Sequence, residues 1–149
     1  SSVLHICCSR RRCCYSFMKQ SVVGIVRQNG RFLLGLRPSG GEIGNCWEFP
    51  GGKCEAGETH EQALIREYAE ELGVKVSVGA FIAQRHFTMK RYAFDLFAYE
   101  VFIDNADVVR PTEHADMNWF TLEELSSLAL VPSDALFVPA LREFYSAMP

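Results

Sequence analysis

Glu67, Glu70 and Glu71 stand at i, i+3 and i+4 in a run of strong helix formers, so a helix there gathers three carboxylates within an arc of about 100°. Like charges so spaced repel by about 0.2–0.5 kcal/mol per pair, and a divalent cation among them reverses the sign. Carboxylate oxygens suit hard cations such as Mg2+ or Mn2+, and Mg2+ keeps several waters and takes substrate phosphates as well. The same three residues also describe a solvated acidic helix face, so their meaning depends on what surrounds them.

Upstream lies a glycine-rich loop, Gly51-Gly52-Lys53-Cys54-Glu55-Ala56-Gly57-Glu58, running straight into the helix. Thr59 or Glu58 is expected to open the helix, since Thr caps exposed N–H groups and Glu suits the positive helix end. Gly73 is the expected stop. Leu64, Ile65, Tyr68 and Leu72 form an apolar stripe beside the carboxylates and should pack on a core. The glycines would let backbone approach an ion or a phosphate closely.

Other elements must hold this loop and helix in place. Ser21 to Arg27 is strand-like, Gln28-Asn29-Gly30 is a hairpin turn, and Arg31 to Arg37 is the return strand, ended by Pro38. A polar loop leads to the short aromatic stretch Trp47-Glu48-Phe49, which breaks at Pro50-Gly51. Beyond Gly73, residues 74–78, 80–88 and 92–103 read as strands, with a turn at Met89-Lys90-Arg91. Met117 to Phe120 is a further short strand. Thr121 with Glu124 forms a capping box. Ser133 or Asp134 is expected to cap a last helix reaching Ala147, with Leu136, Phe137, Ala140, Leu141 and Phe144 inward; Pro139 moves its start toward Phe137 or Val138. The order implies an α/β (α+β) fold, a mixed sheet flanked by helices, in one domain over residues 18–149.

With 149 residues, 48% hydrophobic and 22% charged, the chain can bury an ordinary core and is not of the disordered class. A net charge of −3 argues against broad nucleic-acid binding. No apolar run is long enough to span a bilayer. Cys46 and Cys54 read as reduced thiols of a cytoplasmic protein. Residues 1–17 differ from the rest: Cys7-Cys8 and Cys13-Cys14 bracket Arg10-Arg11-Arg12 without C-x-x-C spacing or the apolar stretch of a signal peptide. They are expected to be a dispensable extension ahead of Met18-Lys19; a basic, redox-sensitive tail is the alternative.

Gly52, Glu58, Arg66-Glu67, Glu70-Glu71 and Gly73 keep the spacing G-x5-E-x7-R-E-x2-E-E-x-G. This resembles the Nudix box of the Nudix hydrolases, with Tyr68 where the family usually has an aliphatic residue. Trp47-Glu48-Phe49-Pro50-Gly51-Gly52-Lys53 is similar to the W-x-F-P-G-G-K run of the MutT-like branch, the nucleoside triphosphate pyrophosphohydrolases. The resemblance implies a Nudix-type α/β/α sandwich that uses Mg2+ or Mn2+ to cleave a nucleoside triphosphate to monophosphate and pyrophosphate. It implies metal ligation by the Gly51 carbonyl, Glu67, Glu70 and Glu71, and base or phosphate contact around Glu48, Phe49, Pro50, Gly52 and Lys53. A Glu at the offset of Glu113 reaches the metal site in that branch; from composition alone Glu113 is an ordinary surface charge. An Asn or Asp at the Asp134 position reads the base edge there; an ionised Asp only accepts hydrogen bonds, so it selects amino or imino N–H donors. Arg37 suits phosphate or base, or equally a salt-bridged strand end.

Within that frame Arg66 fixes the carboxylate array, Glu67 is the first choice of general base, and Glu70 or Glu113 are the others. Three functions stay open. The first is sanitising of 8-oxo-dGTP; the second is the same chemistry on CTP or dCTP; the third is a non-catalytic nucleotide-binding module. A monomer or weak dimer is expected.

Overall fold

The computed structural model describes residues 18–89, 92–104 and 114–146. Its centre is a mixed sheet in the order β5-β1-β7-β6, where β1 is Met18–Ile25, β5 Gly51–Lys53, β6 Val76–Met89 and β7 Tyr92–Ile103. β1 runs parallel to β7, and the β1–β5 and β6–β7 pairs are antiparallel. In a second, antiparallel sheet β3 (Arg31–Leu36) pairs with β2 (Arg27–Gln28), β4 (Trp47–Glu48) and β8 (Asp116–Thr121).

The second half of β1, Val22 to Ile25, carries no polar side chain because both of its faces are covered. Val22 packs with Leu64, Tyr68 and Leu72 of α1 (His60–Leu72). Val23 and Ile25 point the other way, toward Phe137, Leu141 and Tyr145. Helices thus close the sheets from both sides, giving the expected α/β/α sandwich. Among the described residues no helix is long and apolar enough to cross a membrane.

α1 opens at Thr59, whose side chain accepts from the Gln62 N–H while Gln62 accepts from the Thr59 N–H, and closes on Gly73 with φ 66°. Tyr68 fits the core because Gly24 leaves room: a Cβ at residue 24 would run into the phenol oxygen. Ile65 departs from the expected stripe. It is 41% exposed, and Ala63 and Glu71 are buried instead, because the covered arc of the helix is turned toward Ala63 and Ile65 falls just beyond its edge.

Three other expectations change. The strands expected at 74–78 and 80–88 are one long β6, which crosses Gly79 through register irregularities rather than a turn. The first strand begins at Met18, and the hairpin's outer arm is the separate β2. The last helix is two short pieces, α3 (Pro132–Ala135) and α4 (Val138–Tyr145), which follow α2 (Leu122–Leu125). Neither Ser133 nor Asp134 caps it: Val131 precedes Pro132 with no side-chain cap, Pro139 sits in the first turn of α4, and Leu136 is exposed. The Thr121–Glu124 capping box forms as expected. The N-terminal extension and Glu113 lie outside the described residues.

Candidate active site

Arg66 holds the glycine loop to the helix. Its Nε donates to Glu58 Oε2 at 2.7 Å and its Nη2 to Glu58 Oε1 at 2.9 Å, a two-pronged contact. Nη2 also donates to the Lys53 carbonyl at 3.0 Å, and Nη1 to Glu67 Oε1 at 2.9 Å and Glu70 Oε2 at 3.3 Å. Glu58 in turn accepts from the Glu55 N–H. The Arg66 hydrogen bonds, then that backbone bond, hold the Glu58 carboxyl down at about 2. One guanidinium therefore joins loop backbone, loop carboxylate and helix carboxylates.

The two glycines at the loop's start are needed for closeness. A Cβ on Gly51 would run into the Val22 carbonyl of the neighbouring strand, and one on Gly52 into the Glu67 carboxylate. Loop backbone and Glu67 thus share the space a side chain would fill. Glu70 is exposed, whereas Glu71 is 6% exposed and lies beneath the cleft floor it helps to line. The donors gathered here are all oxygens, which fits Mg2+ or Mn2+. Among the described residues no three His, Cys, Asp or Glu side chains enclose an ion by themselves.

From Gly51, Gly52 and Lys53 a cleft of about 490 Å³ extends to Arg37 and Glu48 on one side and to Phe87, Met89 and Phe94 on the other. Its lining is charged at Lys53, Arg37 and Glu48 and apolar at Phe87, Met89 and Phe94. Arg37 Nη1 meets both Glu48 oxygens at 3.3 Å, and His114 Nε2 lies 2.9 Å from Glu48 Oε2. Behind this wall the Phe49 N–H donates to Asp134 Oδ2 at 2.8 Å. Asp134 is 5% exposed, and burial pushes its carboxyl up to about 7 against the opposing pull of the Phe49 bond. Burial likewise pushes the Cys54 thiol up, with Glu58 adding to it, so the cysteine beside the loop stays a thiol.

The family model for the NUDIX domain matches residues 18–141. The chain belongs to the Nudix family. A CTP pyrophosphohydrolase of Escherichia coli K12 is 33% identical over 132 residues, covering 89% of this chain and 97% of that protein. An 8-oxo-dGTP diphosphatase of the same strain is 36% identical over 106 residues, covering 70% of this chain and 65% of that protein. The solution structure of the E. coli ORF135 protein matches with a TM-score of 0.79 at 32% identity, covering 89% of this chain and 94% of that one. This Nudix domain is an enzyme of the MutT-like branch, a pyrophosphohydrolase by family.

Of the residues picked out from sequence, Arg37, Glu48, Gly51, Gly52, Lys53 and Glu71 line the cleft. Glu67 and Glu70 flank it on the Arg66 side. Phe49 and Pro50 are buried, and the Phe49 ring belongs to the core, so a base would meet this stretch through its neighbours. No motif in the sequence marks His114 or the apolar wall of Phe87, Met89 and Phe94. In the sequence the aromatics are ordinary members of alternating strands, and no local pattern separates His114 from the polar loop.

Proposed function

We propose that this cleft binds a nucleoside triphosphate in Mg2+ (or Mn2+) form and hydrolyses it to the nucleoside monophosphate and pyrophosphate. The observation that carries this is the lining of one cleft: a glycine loop with Lys53 and carboxylates beside it, and next to them the Arg37–Glu48 pair across from the apolar wall of Phe87, Met89 and Phe94. A triphosphate with a nucleobase combines charge and an apolar face in the same way.

Glu67, Glu70 and Glu71, the Gly51 carbonyl and Glu113 are the residues to hold the cation, which when bound neutralises phosphate charge and lowers the pKa of a coordinated water. Lys53 and Arg37 add positive charge along the cleft. Arg66 keeps Glu67 and Glu70 oriented, a role through which it acts on turnover without touching substrate. Glu67, or in its place Glu70 or Glu113, takes the proton of the attacking water on a carboxylate oxygen. Phe87, Met89 and Phe94 offer apolar faces to the base and exclude water from one side of it.

The base is assigned first to 8-oxoguanine, in keeping with the diphosphatase relative and with Asp134 at the base-reading position. A second reading, cytosine nucleotides, is favoured by the likeness to the CTP pyrophosphohydrolase along nearly its whole length. Asp134 does not separate the two, since it is buried behind the cleft wall and acts on it through the Phe49 N–H that it holds. Pyrophosphate release from 8-oxo-dGTP, dGTP, CTP, dCTP and ADP-ribose in the presence of Mg2+ separates them. Preferred turnover of 8-oxo-dGTP supports the first reading and of CTP or dCTP the second. Nucleotide binding with no hydrolysis of any of the five would overturn the enzymatic proposal.

A further inference from the structure

Glu48, a carboxylate in the lining of the cleft, is held from two sides, by Arg37 and by His114. His114 does not line the cleft; its side chain is 3% exposed. Gly35 is the Cα partner of Glu48 across the β3–β4 pair, and the imidazole lies over Gly35. A Cβ at residue 35 would come within 2.5 Å of His114 Cγ, so the ring occupies the gap that the glycine leaves beside Glu48. β8, on the other side of β3, pairs Met117 with Gly35 and follows His114 closely in the chain. The ring is thus set by strand register and fixed by packing.

Its hydrogen bond has a defined direction. A carboxylate only accepts, so the proton lies on His114 Nε2 and is donated to Glu48 Oε2. His114 Nδ1 is buried and has no hydrogen-bond partner among the described residues. The bond to Glu48 is therefore the polar contact that orients this ring.

We infer that His114 is a positioning residue for base selection: by holding Glu48 Oε2 from behind, it keeps Glu48 from closing fully onto Arg37. Arg37 at 3.3 Å from both Glu48 oxygens makes long contacts, not a tight two-pronged pair. Glu48 then presents an acceptor, and Arg37 its remaining donors, to the same cleft. Such a pair recognises a base edge that carries an amino or ring N–H group next to a carbonyl or ring nitrogen acceptor. Without the His114 donor, Glu48 turns onto Arg37, the two satisfy each other, and the edge is no longer read. This inference rests on the cleft's being the nucleotide site.

The test compares His114→Phe, which keeps a ring over Gly35 and removes the donor, with His114→Gln, which returns an N–H near the Nε2 position. kcat and KM are measured for the best and second-best nucleotides of the panel above. His114→Phe is expected to lower the ratio of their kcat/KM values about tenfold or more, chiefly through KM of the better substrate, with kcat nearly unchanged. His114→Gln is expected to restore most of that ratio. Should His114→Phe not fold, Glu48→Gln carries the test, with the same loss of preference expected. An unchanged ratio in the donor-free variant, or an equal fall in kcat on both nucleotides, would overturn the inference. Wild-type protein that hydrolyses no nucleotide would instead refute the proposed function itself.

Discussion

Two arginines, Arg66 beside the cleft and Arg37 in it, are used in opposite ways. Arg66 is bound to Glu58, Glu67, Glu70 and the Lys53 carbonyl, with its closest contact at 2.7 Å. Arg37 has one carboxylate partner at 3.3 Å and a side chain 39% exposed. The first is built into the fold and has no donors to spare for substrate. The second keeps donors turned to the cleft. The contrast locates where this enzyme is rigid and where it can be retuned: the phosphate end is fixed by short, charge-assisted bonds, and the base end is a looser set of longer ones. Changes at the first end should therefore cost turnover on every nucleotide, and changes at the second should alter which nucleotide is preferred.

Arg66→Ala attacks the rigid end most directly. It is expected to lower kcat about 100-fold on all nucleotides alike, and to lower the melting temperature, because loop and helix lose their shared partner. A drop confined to one nucleotide would break the distinction between the two ends. Gly52→Ala should cost about tenfold in kcat, since the new methyl displaces the Glu67 carboxylate, with a smaller effect on thermal stability. Steady-state kinetics beside a melting curve distinguishes that from general unfolding.

Asp134→Asn sharpens the contrast through pH. The folded carboxyl titrates at about 7 against an ordinary 3.8, so the folded chain keeps a proton that the unfolded chain releases. A raised carboxyl pKa contributes stability that is complete below the unfolded value and is lost as pH rises through the folded one. Wild-type melting temperature is therefore expected to fall between pH 4 and 8 relative to Asp134→Asn, the whole effect being at most about 4 kcal/mol. Parallel curves for the two proteins would show that Asp134 is already ionised when folded. The smallest effect is expected from the region outside the described fold: removal of residues 1–17 is proposed to leave activity and melting temperature unchanged, and a large loss of either would assign that tail a role.

The parts of the molecule that could be read from sequence are those whose causes lie close together in the chain. α1 is set by Thr59, Gln62 and Gly73, all within one helix length, and the Glu67, Glu70, Glu71 spacing follows once the helix is known. The Arg66–Glu58 link spans eight residues across one loop. The base end depends on contacts between distant segments instead. Asp134 meets the Phe49 N–H across 85 positions, and His114 meets Glu48 across 66. From local signals Asp134 looks like a helix cap. It became a buried acceptor only because Pro132 starts its own short turn and the β4 end passes beside it. Ile65 illustrates the same limit on a helix: periodicity gives a stripe, and only the sheet beneath shows which way the covered arc is turned.

The most direct test of the proposed chemistry is pyrophosphate release by Glu70→Gln beside wild type, on the preferred nucleotide, with melting curves for both. The Glu70 side chain is 59% exposed, so the substitution should leave the melting temperature near the wild-type value. Loss of turnover in a folded protein is the result predicted by a carboxylate end that holds the cation. Full activity in that variant would contradict it.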